Sequence, residues 1–177
     1  TVIGGRYGLA SKDTDTAQIV AVFDNRAAPE PTRSFTIGID DDVTHLSLHV
    51  RPLDDFEDAG TYSCKFWGLG GDGTVGANHN TIRILGDCAD MFAQAYFQYD
   101  SKKSFGVTKS HLRLSKKPIR STYYVKRANF VACHNQSYVR QYDMVQEVKP
   151  GGTFLLNTTW TPEELDANLP GKMKRYI

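Results

Sequence analysis

The chain has 177 residues, of which 40% are hydrophobic and 23% charged, and its formal net charge at pH 7 is +1. These values are ordinary for a globular domain, and the length is sufficient to bury a single core. No stretch approaches the roughly 18 consecutive apolar residues of a membrane-spanning helix, so we expect neither a span nor a membrane partner.

The small net charge conceals an uneven distribution along the chain. Residues 1–100 hold 15 acidic and 7 basic side chains, whereas residues 101–142 hold 10 basic side chains and no acid. A block of this kind is typical of a surface that faces a polyanion, an acidic neighbour or plain solvent. Nucleic acid is the weakest of these interpretations, because Phe105, Tyr123 and Tyr124 also fit strand interiors.

The first third of the chain predicts one helix and two extended segments. Residues 13–26 have helical spacing with Asp13 or Asp15 as cap. Residues 35–39 are typical of a strand, an acidic turn follows at residues 40–42, and residues 46–50 alternate as an extended segment would.

The remainder alternates between strands and helices. A strand at residues 62–67 leads through a glycine loop into a helix at residues 75–88. The later predictions are strands at 92–99, 105–114 and 129–133, a helix at 138–148, a turn at 150–152, an apolar run at 154–156 and a helix beginning at Thr161. This alternation favours an α/β fold, a Rossmann-like three-layer α/β/α arrangement around a largely parallel or mixed sheet, as one domain over residues 1–177.

Residues 68–74 form the strongest local motif, because four glycines separate a strand from a helix. Such a loop leaves backbone amides uncovered at a helix N-terminus, which suits phosphate. The candidate contacts are Gly70, Gly71, Asp72, Gly73, Thr74 and Asn78. The alternative is a tight turn that lets the strand and helix pack closely.

A second glycine loop precedes the first predicted helix. It combines Arg, Lys and Tyr, which could bind phosphates and stack on a base. The candidate residues are Gly5, Arg6, Tyr7, Gly8, Ser11 and Lys12. The alternative is an interdomain linker whose glycines permit a bend.

The sequence offers no recognisable metal-binding or catalytic motif. Cys64, Cys88 and Cys133 are odd in number and widely spaced, which indicates neither a disulfide framework nor a zinc pattern. His45 and His49 would lie roughly 13 Å apart on a strand. We therefore predict no metal site, no catalytic residue and a reducing, cytoplasmic setting.

Six stretches in order resemble the third domain, or gamma region, of the pyruvate:ferredoxin oxidoreductases, within the 2-oxoacid:ferredoxin oxidoreductase family. The resemblance covers nearly the whole chain. The stretches are residues 4–9, 39–44, 71–78, 99–104, 117–122 and 151–157.

This resemblance implies a piece of a long multidomain enzyme that oxidatively decarboxylates pyruvate and passes electrons to ferredoxin or flavodoxin. It implies that thiamine diphosphate, Mg and 4Fe-4S clusters are held by other domains of a parent homodimer, and that this domain is inactive alone. It implies coenzyme A contact at the loop from Gly5 to Lys12. Beside this role stand a purely structural interdomain scaffold and a polyanion-binding module using residues 101–142.

Overall fold

The computed structural model describes residues 2–7, 14–53, 57, 59–100 and 104–177. Contacts divide the chain into two compact units, Thr1–Asp55 and Phe56–Ile177, which we call unit 1 and unit 2. Each is described by itself, and the single domain over residues 1–177 stays a prediction. Within the described residues, no helix is long and apolar enough to cross a bilayer.

Unit 1 is a small β–α–β arrangement. Strand β1 (Gly4–Arg6) is followed by helix α1 (Thr16–Ala27) and then by strand β2 (Ser34–Thr36), which pairs with β1 in parallel. Asp15 caps α1 as predicted, accepting a hydrogen bond from the Gln18 amide. The core of unit 1 consists of Ala21, Phe35 and Ile37 with the partly buried Ile3, Val22, Leu48 and Val50.

Two predictions for unit 1 were too long. The strand predicted at residues 35–39 ends at Thr36, since Gly38 adopts a left-handed φ of 78° that interrupts an extended chain. Residues 46–50 form only one bridge, between Ser47 and Thr36.

Unit 2 contains a five-stranded mixed sheet in the order β4-β5-β3-β6-β7. The strands are β3 (Tyr62–Leu69), β4 (Phe92–Tyr99), β5 (Val107–Ser115), β6 (Ala128–Cys133) and β7 (Val148–Leu156). Strand β5 runs antiparallel to β3 and β4, whereas β3, β6 and β7 are mutually parallel. The predicted mixed α/β class is confirmed.

The two faces of this sheet carry different elements. Helix α2 (Thr74–Cys88) packs over β3, β4 and β5, where Gly68 leaves room for Thr74. The opposite face carries Trp67 and a core that includes Val131, Met144 and Val145. Helices α3 (Pro162–Asn168) and α4 (Gly171–Tyr176) follow β7, and Thr161 forms the predicted capping box.

Two predictions in the second half were wrong. The helix at 138–148 is instead two 3₁₀ helices, Gln136–Arg140 and Met144–Glu147, whose buried side chains face the sheet. The turn at 150–152 lies inside β7, an edge strand in which Pro150 is tolerated, with a register shift opposite residues 128–130.

A glycine in β1 supplies the first prediction. A Cβ built on Gly5 would lie 2.2 Å from the buried Phe35 ring, whereas one on Gly4 meets nothing within 4 Å. Gly5→Ala should therefore lower the free energy of unfolding by about 1–3 kcal/mol through overpacking. Urea denaturation of both variants tests this, with Gly4→Ala as the matched control; equal losses would refute the packing role.

The buried carboxylate of Glu57 supplies the second prediction. Burial raises the pKa of Glu57, but hydrogen bonds from Lys149, Ser63 and Arg113 outweigh burial and hold that pKa below its ordinary value of 4.5. The side chains of Glu57 and Arg113 are 5% and 1% exposed. Glu57→Gln should cost about 3–5 kcal/mol at neutral pH, because it leaves a buried guanidinium without its partner charge.

The pH dependence follows from the sign of this shift. A depressed carboxyl pKa contributes stability that is complete above 4.5 and is lost as the pH falls through the lower folded-state value. The stability difference between wild type and Glu57→Gln should therefore shrink in acid. Denaturation at several pH values measures it, with the exposed Glu30→Gln as control; a pH-independent difference would contradict the assignment.

Candidate functional site

The strongest candidate site lies in unit 1, where β1 ends and α1 begins. Arg6 is the last residue of β1 and Tyr7 follows it, with both side chains exposed. Because β1 and β2 are parallel and joined through α1, Arg6 and Tyr7 lie at the carboxyl end of a strand in a β–α–β unit. Ligands of α/β units bind at this position. Three predicted contacts, Gly8, Ser11 and Lys12, lie outside the described residues.

A crevice of about 470 Å³ opens near the carboxyl end of β2. It is lined by Gln18, Gly38, Ile39, Asp40, Ser47, Leu48, His49 and Val50. Gln18 belongs to the first turn of α1, so the crevice borders the helix N-terminus. A Cβ on Gly38 would lie 2.8 Å from the side-chain amide nitrogen (Nε2) of Gln18, which leaves little room for a larger residue.

The acidic turn beside this crevice is built around Asp41. Its carboxylate accepts hydrogen bonds from the amides of Val43 and Thr44 and from the Thr44 hydroxyl. The Thr44 side-chain and backbone hydrogen bonds lower the pKa of Asp41 to about 2. Asp41 therefore closes its own turn, and among the described residues no group of three metal-ligating side chains forms.

The glycine loop of unit 2 holds an anion of its own. The Asp72 carboxylate accepts hydrogen bonds of 2.8 Å from the amides of Leu69 and Thr74. Burial raises the pKa of Asp72, but these amide hydrogen bonds bring it below the ordinary value. An ionised aspartate thus occupies two amides that a phosphate would need.

The glycines of this loop also have structural roles. Gly71 and Gly73 adopt φ values of 89° and 86°, which favour glycine. A Cβ on Gly68 would lie 2.8 Å from the Thr74 Cβ. These contacts favour the tight-turn alternative, and phosphate contact at Gly70, Gly71, Asp72, Gly73, Thr74 and Asn78 stays a prediction.

Sequence reasoning named Asp72 as a candidate contact but missed the crevice that Asp72 lines, of about 270 Å³, at the carboxyl ends of β3, β6 and β7. It is lined by Leu69, Asp72, His134, Asn135, Gln136, Asn157, Thr158 and Thr159. The Gln136 side-chain oxygen accepts from the Thr158 hydroxyl and the Thr159 amide, which fixes its orientation. Polar residues directly after three parallel strands were the available signal.

Two members of the basic block point into the protein, which the sequence did not indicate. Arg113 is fully buried and donates to Glu57 and to the Tyr123 carbonyl. Lys109 lies with its Nζ 4.1 Å from the centre of the Trp67 ring. Burial and the neighbouring Lys65 lower the pKa of Lys109.

His111 belongs to the same polar interior. It is 2% exposed, its Nε2 lies 2.9 Å from the Gln98 side-chain oxygen, and its ring stacks on Tyr124. Burial and the charge of Lys65 lower the pKa of His111 to about 3, so it is neutral at physiological pH. Its contacts are those of a structural residue.

Comparison with solved structures supports the fold. Pyruvate oxidoreductase subunit PORC from Thermotoga maritima superposes with a TM-score of 0.51 at 14% sequence identity. The match covers 62% of this chain and 57% of that chain.

Sequence comparison extends over the whole chain. A pyruvate:ferredoxin oxidoreductase of Moorella thermoacetica is 57% identical and a pyruvate-flavodoxin oxidoreductase of Enterobacter agglomerans 56% identical, each over 99% of this chain. A mitochondrial pyruvate dehydrogenase [NADP(+)] of Euglena gracilis is 48% identical over 99% of this chain. The chain spans 15%, 15% and 10% of these relatives, respectively.

The family profile described as pyruvate ferredoxin/flavodoxin oxidoreductase matches residues 63–176. This range includes all the strands and helices of unit 2 apart from Tyr62, the first residue of β3. This match and the relatives agree with the resemblance of the six sequence stretches. The chain belongs to the pyruvate ferredoxin/flavodoxin oxidoreductase family.

Proposed function

We propose that this chain is the coenzyme A-binding part of an enzyme that oxidatively decarboxylates pyruvate and passes electrons to ferredoxin or flavodoxin. The observation that supports the proposal is the parallel β1–α1–β2 arrangement, in which Arg6 ends β1 and Tyr7 follows it, with both side chains exposed. The name of one relative contains NADP(+) in place of ferredoxin or flavodoxin. The identity of the electron acceptor is therefore part of the proposal.

The chemistry of coenzyme A suits this loop. Its diphosphate and 3′-phosphate need dispersed positive charge, and its adenine needs a flat apolar face. Arg6 can supply a guanidinium and Tyr7, whose side chain is 56% exposed, can supply the face. Gly8, Ser11 and Lys12 complete the proposed site.

Local acids oppose an anion here, which sets a requirement on the bases. Asp15 caps α1, and Asp40 lines the nearby crevice. Arg6 and Lys12 must therefore outweigh the Asp15 carboxylate at the helix N-terminus and the Asp40 carboxylate of the crevice. Coenzyme A binding at the proposed site therefore depends on the positive charges of both Arg6 and Lys12.

The rest of the catalytic machinery belongs, in this proposal, to other parts of a longer polypeptide. We place thiamine diphosphate, Mg and the 4Fe-4S clusters there, in a homodimeric parent enzyme of the cytoplasm. The small share of each relative that this chain spans supports this division of labour.

A purely structural scaffold is the second candidate. Two observations favour it: Gly5 packs against Phe35, and Asp72 occupies amides of the other glycine loop. Both glycine motifs thus have an explanation within the fold. The two candidates differ in whether any residue of the first loop contacts coenzyme A.

The isolated chain should not oxidise pyruvate, because the groups proposed to carry the chemistry lie elsewhere. The test is dye reduction by purified chain with pyruvate, thiamine diphosphate, magnesium and coenzyme A, with the intact enzyme as positive control. Pyruvate-dependent reduction by the isolated chain would overturn the proposed division.

Arg6→Ala in the intact enzyme should raise the KM for coenzyme A by roughly one to two decades and leave the KM for pyruvate unchanged. The reason is the loss of one charge-assisted contact, about 1.5–3 kcal/mol. Steady-state kinetics with each substrate varied in turn measures this. Arg26→Ala, an exposed base in the last turn of α1, is the matched control.

Comparing coenzyme A with its 3′-dephosphorylated form sharpens the same experiment. If Arg6 binds the 3′-phosphate, the variant should lose most of the wild-type preference between the two forms. An unchanged KM for coenzyme A, or an equal rise in the KM for pyruvate, would contradict coenzyme A contact by Arg6 and favour the structural scaffold.

A further inference from the structure

The strands of unit 2 begin and end so that part of residues 101–142, the basic block, lies at one edge of the sheet. Ser115, the last residue of β5, pairs with Phe92, the first residue of β4. Leu114 pairs in the same way with Tyr62, the first residue of β3. The segment after β5 therefore leaves the sheet at the edge where β3 and β4 begin.

The same edge receives the start of β6 and the end of α4. Ala128 pairs with Val148, the first residue of β7. The Tyr176 hydroxyl of α4 donates a 3.0 Å hydrogen bond to the Val148 carbonyl, and Arg127 contacts that hydroxyl at 3.4 Å. Helix α4 thus joins an edge that the sequence alone did not connect with residues 101–142.

These segments contain several exposed bases, and five of them form the set on which the inference rests. We call this set the basic edge: Lys116, Lys117, Arg120, Arg127 and Arg175. Within the described part of the chain, none of the five forms an ion pair. The acids nearby are largely used inside the unit, since Glu57 pairs with Arg113 and Lys149, and Glu147 pairs with Lys65. Among the residues that the structure describes, Asp90, just before β4, is an exposed acid of this edge.

Exposed aromatic side chains accompany the bases. Tyr62, Phe92 and Tyr176 stand at the strand starts and in α4, and they are 46%, 49% and 43% exposed. Arginine and aromatic residues together are the typical composition of protein interfaces, whereas a merely solvated face would favour lysine and glutamate without large rings.

We propose that the basic edge is an interface that docks on an acidic surface of another part of the same polypeptide. Charge complementarity requires an acidic partner, and relatives that match this whole chain devote only 15% of their length to it. The proposal depends on family membership and not on coenzyme A contact, so the Arg6 experiment can fail while this inference stands.

Lysine footprinting of the intact protein tests this directly. The protein is treated with an amine-acetylating reagent, and the acetylation rates of Lys116 and Lys117 are compared with their rates after unfolding in urea. Docking should slow both lysines at least tenfold in the folded protein. Lys65, buried and paired with Glu147, is the reference for full protection.

The alternative partners give different results. Rates equal to those of the unfolded protein would overturn the proposal and leave a solvated face. Protection that appears only after adding ferredoxin, or only after adding a single-stranded oligonucleotide, would overturn it in favour of that partner.

A charge-reversal pair provides the second measurement. Lys116→Glu with Lys117→Glu should raise deuterium uptake in residues 116–127 of the intact protein at least threefold over minutes, because the interface opens. Arg26→Glu with Arg83→Glu changes the net charge equally at two exposed positions that do not belong to the basic edge, and it should leave that uptake unchanged. Equal uptake in the two variants would contradict the proposal.

Discussion

The buried carboxylate of Glu57 is the constraint on which the centre of unit 2 depends. It receives the Arg113 guanidinium from β5, the Lys149 ammonium from β7 and the Ser63 hydroxyl from β3. Arg113 in turn holds the Tyr123 carbonyl, which ties the segment between β5 and β6 to the sheet. A fully buried arginine is costly without a partner charge, so this network and the strand order are mutually dependent.

The two glycine loops show how one sequence signature serves different physical needs. In unit 1, Gly5 is needed because the Phe35 ring occupies the space of a side chain. In unit 2, the Asp72 carboxylate accepts hydrogen bonds from the Leu69 amide at the end of β3 and the Thr74 amide at the start of α2. An internal carboxylate and an external phosphate compete for the same amides, and here the internal one is already bound.

The charge of residues 101–142 divides between the interior and the surface. Arg113 and Lys109 contribute to the interior, where a guanidinium pairs with Glu57 and an ammonium lies over Trp67. Lys116, Lys117, Arg120 and Arg127 remain at the surface and gain Arg175 from α4. A count of charges along the chain therefore overstates the positive surface charge of residues 101–142. It also misses the positive charge that Arg175 of α4 adds to the same surface.

The sequence by itself determined the elements whose signals are local. The capping box at Thr161, the helix capped by Asp15 and the strand that leads into residues 68–74 all follow from short-range hydrogen bonding and side-chain period. The ordered stretches of similarity also determined the family. Only the tertiary structure decided that residues 138–148 form two 3₁₀ helices, that β7 continues through Pro150, and that Arg113 is buried. Each of these depends on partners distant in the sequence, such as Glu57 for Arg113 and the neighbouring strand for β7, and no local pattern contains them.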